Sequence, residues 1–222
     1  MTSKGAYKVG KIRKDNERVI LLAAEKEFAT RGFNGASMNR IAQGAGVART
    51  NVHYYFKNKE DLYARVLTDV IQMWGSSFDQ ISSDDDPGEA LESYIQAKVA
   101  YSKTNPLASR IFASEMLHGA PVLGSYLKKD HRDWMNSKAE IINSWVAQGK
   151  MDPVNPFYLI FMIWASTQHY ADFEVQVKTV LGKPRLAATD FDDIADNLTH
   201  IILKGCGIKT GSTYTGPDDK VP

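Results

Sequence analysis

Residues 37 to 62, SMNRIAQGAGVARTNVHYYFKNKEDL, constrain the fold more than any other stretch, because two short helical patterns follow each other with only a glycine-containing turn between them. Helices joined that closely must cross steeply around a small shared core. Ile41, Ala42 and Ala45 supply an apolar stripe on the first, Gly44 and Gly46 permit the turn, and Val47 fills the corner. On the second, spanning about Ala48 to Tyr54, Val52 is the inward residue. That leaves Arg49, Thr50, Asn51, His53 and Tyr54 outward. Phe56 then returns to the core, and Asn58 is placed to cap a third helix that opens with Lys59, Glu60 and Asp61. The pattern is a helix-turn-helix whose polar second helix suits a DNA major groove.

In that geometry Arg49, Thr50 and Asn51 are the candidates for base edges, while Ser37, His53, Tyr54, Tyr55 and Lys59 are candidates for phosphates. The charge distribution agrees. Residues 1 to 62 carry 12 Lys and Arg against 6 Asp and Glu, a net +6, and residues 63 to 222 carry a net −5. One end can neutralise phosphates while the other avoids nucleic acid. Lys4, Lys8, Lys11, Arg13 and Lys14 form a basic leader, read either as a flexible tail or as a DNA-contacting arm.

Beyond residue 62 the periodicity is helical throughout, predicting helices over about 58 to 81, 87 to 103, 105 to 117, 121 to 149, 153 to 178 and 188 to 207. Proline-containing breaks separate them, as at Asn105-Pro106 and Asp152-Pro153. The expected organisation is all-α: a flexible leader (1–14), a helix-turn-helix domain (15–62), a helical bundle for ligand binding and dimerisation (63–209) and a disordered tail (210–222). Asp84 to Asp86 read as a solvated cap before Pro87 rather than a cation site. The longest apolar run, Phe157 to Ala165, has nine residues, too few to span a bilayer, and no apolar signal core opens the chain; the cytoplasm is the expected compartment. The single cysteine, Cys206, leaves no intramolecular disulfide and no cysteine-cluster metal site.

The stretch LIFMIWASTQHYADF, residues 159 to 173, is apolar at both ends but polar at its centre. Polar groups in so apolar a helix either bridge to a neighbouring helix or meet a ligand. Trp164 and Gln168, at i and i+4, share a face that offers a flat apolar surface beside an amide able to donate and accept. A core tryptophan with a bridging glutamine and a site for a small planar amide both fit. Lys98, Arg110 and Glu115 read as a buried ion pair or as a polar pocket wall. His169 and Asp172, lacking a third ligand at helical spacing, read as solvated or interhelical partners. Trp134 and Trp145 read as packing in their long helix, and Tyr158, Phe161, Ile194, Ile201 and Leu203 as contributors to a dimer interface.

The order of a Ser entering the first short helix, IA..AGV, an aromatic-rich YYF and KE.L resembles the TetR family of bacterial repressors. Ile20, Leu21, Ala24, Phe28, Gly32 and Phe33 match that family's first helix and exit turn. Residues 94 to 123 and 159 to 173 further resemble members that control pyrimidine utilisation. That resemblance implies a homodimer on a palindromic operator, released when uracil or thymine binds, with Trp74, Trp164 and Gln168 in the effector site. It implies neither cofactor nor metal. His53 stands where the family commonly has Tyr. A different small planar amide is the alternative effector. An enzyme acting on such a ligand is a distant rival, because no nucleophile elbow, phosphate loop or metal-ligand cluster is present in the sequence.

Overall fold

In a computed structural model the residues described are 3–208, with side chains described from Arg13 onward. The expected tail lies outside them. All regular structure among these residues is helical: α1 (Ser3–Gly35), α2 (Met38–Ala45), α3 (Arg49–Tyr55), α4 (Lys59–Asp79), α5 (Pro87–Thr104), α6 (Pro106–Leu117), a single turn α7 (Gly124–Tyr126) with a π-helical turn at Leu127–His131, α8 (Arg132–Ala147), α9 (Pro156–Asp172), α10 (Glu174–Val180) and α11 (Ala188–Gly205). Residues 3 to 14, read above as a leader, belong to α1.

Local chemistry sets most of the boundaries. The exit from α1 bends at Gly32, whose φ of 65° lies in the left-handed region that favours glycine. Ser37 caps α2, its hydroxyl accepting from the Arg40 amide at 3.2 Å. Gly46 ends α2 with φ 66° and ψ 28°, while the amides of Gly46 and Val47 return to the carbonyls of Gln43 and Ala42, closing a Schellman turn. Asn58 caps α4 by accepting from the Asp61 amide at 2.8 Å. Asp86 caps α5 through the amides of Gly88 and Glu89, just before Pro87. Asn155 does the same for α9 before Pro156.

Two expected helices are divided. The segment expected to be helical from 121 passes through the π-helical turn, so that α8 begins at Arg132. The helix expected over 153 to 178 starts at Pro156 and stops at Asp172, where Phe173 leaves helical geometry (φ −112°, ψ 29°) before α10 resumes.

The chain divides into two compact units. One comprises residues up to Gln72 together with Leu107–Ser125; the other comprises Met73–Pro106 together with the described residues from Tyr126 onward. In the first, Ile20, Phe28, Ile41, Val52, Phe56, Leu62, Tyr63 and Leu67 are buried, and Tyr63 meets Phe28 edge-on with centroids 4.8 Å apart. Also buried there is Glu115, whose carboxylate accepts from the amides of Val122 (2.7 Å) and Leu123 (3.0 Å) and from the Tyr63 hydroxyl. In the second unit α5 packs against α9 and α11 around Phe78, Leu91, Tyr94, Ile95, Ile142, Trp145, Ile160 and Leu203. Leu203 is therefore core, unavailable to a partner, while Tyr158, Phe161, Met162 and Ile201 stay exposed.

Candidate DNA interface and effector site

The first unit builds its candidate DNA surface on α3. With Val52 fully buried, the helix can turn only one way, leaving Arg49, Thr50, Asn51, His53 and Tyr54 exposed. Tyr54 is 70% exposed, and the guanidinium of Arg13 lies over its ring at 5.9 Å, which adds a cation from α1 to the same face. Tyr55 is half-buried against Tyr54 and Phe56.

Arg49 Nε lies 3.4 Å from His53 Nε2, and His53 Nδ1 lies 3.4 Å from the Lys57 carbonyl. One neutral tautomer satisfies both contacts, with Nδ1–H donating to Lys57 and Nε2 accepting from Arg49. At the start of α2, Glu27 accepts from the Ser37 amide and pairs with the Arg40 guanidinium, while the Ser37 hydroxyl accepts from the Arg40 amide, so two backbone amides there are already held.

Two expected roles meet local competition. Lys59 donates to the Ala36 carbonyl at 3.2 Å and sits 4.5 Å above the Phe33 ring, so its ammonium ties the start of α4 to the exit of α1. Gly44 has ordinary helical backbone, and a Cβ there would make ordinary contact with Ala23 at 3.5 Å; of the two glycines, the turn requires Gly46.

The candidate effector residues Trp74, Trp164 and Gln168 all belong to the second unit and are all half-buried. Trp164 is firmly held. Its Nε1 donates to the Tyr94 hydroxyl at 2.6 Å, and its ring lies against Trp134 (6.2 Å), His131 (5.5 Å) and Phe161 (5.8 Å). Trp134 in turn donates to Asp79 at 2.8 Å, and Lys138 pairs with the same carboxylate at 3.3 Å. The π-helical turn ends at His131 and so delivers that ring to Trp164. Burial lowers the pKa of His131 and raises that of the Tyr94 hydroxyl.

Trp74 is covered differently. Lys98, only 1% exposed, places its ammonium 4.1 Å above the indole. Burial pushes the Lys98 pKa down to about 7, against an opposing pull from Asp172 on α9. Lys98 places its Nζ over Trp74, and Glu115 is held by Tyr63 and two amides. The charge of Asp172 acts on Lys98 from α9, while His169 stacks on Phe173 at 5.0 Å. Tyr94 and His131 had no individual signal in the sequence, although Tyr94 and Lys98, at i and i+4, form a stripe on α5 that meets Trp164 and the charge of Asp172 from α9.

An α3 that exposes its polar residues beside a capped, tightly turned α2 is the helix-turn-helix geometry, and the sequence profile described as "Bacterial regulatory proteins, tetR family" matches residues 20–66. The chain belongs to the TetR family. A second profile, "YcdC-like protein, C-terminal region", matches residues 67–209. The HTH-type transcriptional regulator RutR of Escherichia coli (strain K12) is 41% identical over 189 residues, 85% of this chain and 89% of that protein. Among solved structures, a tetR-family regulatory protein from Rhodococcus RHA1 superposes with a TM-score of 0.68 at 17% identity, over 88% of this chain and 98% of that one. AibR in complex with isovaleryl coenzyme A and operator DNA gives 0.63 at 19% identity, over 84% and 97%. These structures establish the shared fold. The chain is therefore a RutR-like transcriptional regulator with DNA-binding and C-terminal helical domains. Among the described residues no helix is long and apolar enough to cross a membrane.

Proposed function

We propose that the protein is a homodimeric repressor that binds a palindromic operator and leaves it when a pyrimidine such as uracil or thymine occupies the site beside Trp74, Trp164 and Gln168. The observation that carries this reading is the 41% identity to RutR through 85% of the chain, which runs well beyond the DNA-binding segment into the half that holds these three residues. Their surroundings suit the role. Trp164 is a rigid aromatic wall held by Tyr94, and Gln168, one turn farther along α9, adds an amide that matches the alternating donors and acceptors of a pyrimidine edge.

Two copies would place their α3 helices in successive major grooves about 34 Å apart. Tyr158, Phe161 and Met162 of α9 with Ile201 of α11 are the exposed apolar residues for pairing with a second copy as a four-helix bundle. Because α4 is one continuous helix from Lys59 to Asp79, it carries Trp74 and the Asn58-capped end adjoining α3 on one rod. A ligand that prefers one position of Trp74 would bias that rod, and would spread the recognition helices only to the extent of its differential affinity. Fluorescence anisotropy with DNA from the protein's own upstream region, at stated salt, tests the reading. Release by uracil or thymine is the expected result; operator binding indifferent to both, and to related cyclic amides, would discard the pyrimidine effector.

A further inference from the structure

We infer that Lys98 is an effector-contacting residue whose ammonium donates to a carbonyl or imide oxygen of the ligand, so that the site selects planar molecules carrying such an acceptor. The inference rests on the effector site proposed above and adds to it a cationic group and a preference.

An ammonium at 1% exposure on a helix packed between two others does not serve an apolar interface, where a leucine or methionine would fill the space without desolvating a charge. Its position is specific. Lys98 stands one turn after Tyr94, whose hydroxyl fixes Trp164, and its Nζ covers the ring of Trp74 at 4.1 Å. From α9 the charge of Asp172 acts on it, and Asp172 stands one turn after Gln168. On α9, Trp164 and Asp172 thus stand one turn to either side of Gln168.

The contact between Lys98 and Trp74 is also one that a ligand can improve. An ammonium has three N–H donors, and the face of an indole engages it through the ring quadrupole without accepting a directed hydrogen bond from each. A flat ring arriving against Trp74 with a carbonyl or imide oxygen at its edge replaces that contact with a charge-assisted hydrogen bond, the stronger interaction. A cationic ligand is repelled from the same place. Asp172 holds the opposite charge near Lys98 and keeps the ammonium from being wholly uncompensated before the ligand arrives.

The linkage to protons gives the inference a distinctive readout. Burial holds the Lys98 pKa down to about 7, so at pH about 8 the free site is mostly neutral there; an oxygen acceptor restores the charged form, and binding takes up most of a proton from solvent.

Isothermal titration of the full-length protein with uracil at pH about 8, in phosphate and in Tris, counts that proton through the difference in buffer ionisation heat. Uptake approaching one proton is expected. Lys98→Met should abolish the uptake and weaken uracil by about 10- to 100-fold, the loss typical of a hydrogen bond to a charged group. Lys98→Arg should recover part of the affinity without the uptake, since its guanidinium stays charged. Wild-type protein that binds uracil with no proton uptake, together with Lys98→Met binding it equally well, would overturn the inference. Wild-type protein that binds neither uracil nor related cyclic amides would instead remove the effector reading beneath it. Should Lys98→Met misfold, Lys98→Arg decides: uracil affinity and proton uptake both equal to the wild type would overturn the inference.

Discussion

Lys98 also makes a prediction about stability that needs no ligand. Its pKa is lowered from 10.5 to about 7 by burial. The unfolded chain therefore keeps its proton over a range in which the folded chain has released it, so this residue opposes folding most strongly below pH 7, and the opposition fades as pH rises toward 10.5. With each pKa unit equivalent to about 1.4 kcal/mol, the cost is about 4 kcal/mol at pH 7 and about 2 kcal/mol at pH 9. Lys98→Met replaces the stem with an unbranched apolar chain of similar length and removes the titration. Imperfect packing of the methionine, which does not depend on pH, offsets about 1 kcal/mol of the gain at either value. Urea unfolding of both proteins, at one fixed concentration so that any dimer contributes equally, gives the comparison. The variant should be the more stable by about 3 kcal/mol at pH 7 and by about 1 kcal/mol at pH 9, a gap closing by about 2 kcal/mol. A gap that stays constant between the two pH values, or a variant less stable than the parent at pH 7, would refute the assignment of Lys98 as a strongly desolvated ammonium.

Four other outcomes follow from particular contacts. Glu115→Ala strands the amides of Val122 and Leu123 and the hydroxyl of Tyr63, and should cost about 3 kcal/mol in urea unfolding; a loss below about 1 kcal/mol would mean that water replaces the carboxylate. Gly46→Ala meets no atom within 4 Å but must hold φ near +66°, so it should cost about 1 kcal/mol, with Gly46→Asn milder; equal stability of the alanine variant would deny the left-handed cap. Trp74→Ala should bind operator as the parent does and ignore uracil in the anisotropy assay, whereas normal release would remove Trp74 from the mechanism. Phe161→Asp, at an exposed apolar position on α9, should shift sedimentation velocity toward monomer, and an unchanged dimer would place the interface elsewhere.

What the sequence reveals of this molecule follows from how local each cause is. The α2 cap at Ser37, the turn at Gly46, the inward Val52, the return of Phe56 and the cap at Asn58 all involve residues within about one turn of each other, and each is readable from spacing. The break at Phe173 is not. Nothing in DFEVQVKT is a proline or glycine, and the period continues across it, so the interruption carries no local signal. The π-helical turn LKKDH is equally silent. For the candidate effector site, the residue types Trp164 and Gln168 advertise themselves by their place in an apolar helix, yet the partners that define their surroundings come from 70 residues earlier, as with Tyr94, or from the π-helical turn, as with His131.

Lys59 and Lys98 show the same limit in energetic terms. Each is a cation whose residue type suggests a ligand, a phosphate for one and an effector for the other, and each is already engaged by the chain itself, Lys59 by the Ala36 carbonyl and the Phe33 ring, Lys98 by the Trp74 ring. A ligand must therefore offer more than the contact it replaces. For Lys59 it must compete with a carbonyl hydrogen bond that anchors α4, so structural anchoring is the stronger claim on that ammonium. For Lys98 it must compete with an indole face and with the expense of desolvation, both of which an oxygen acceptor improves. Of the two lysines, the buried one is the better placed to report on a bound molecule.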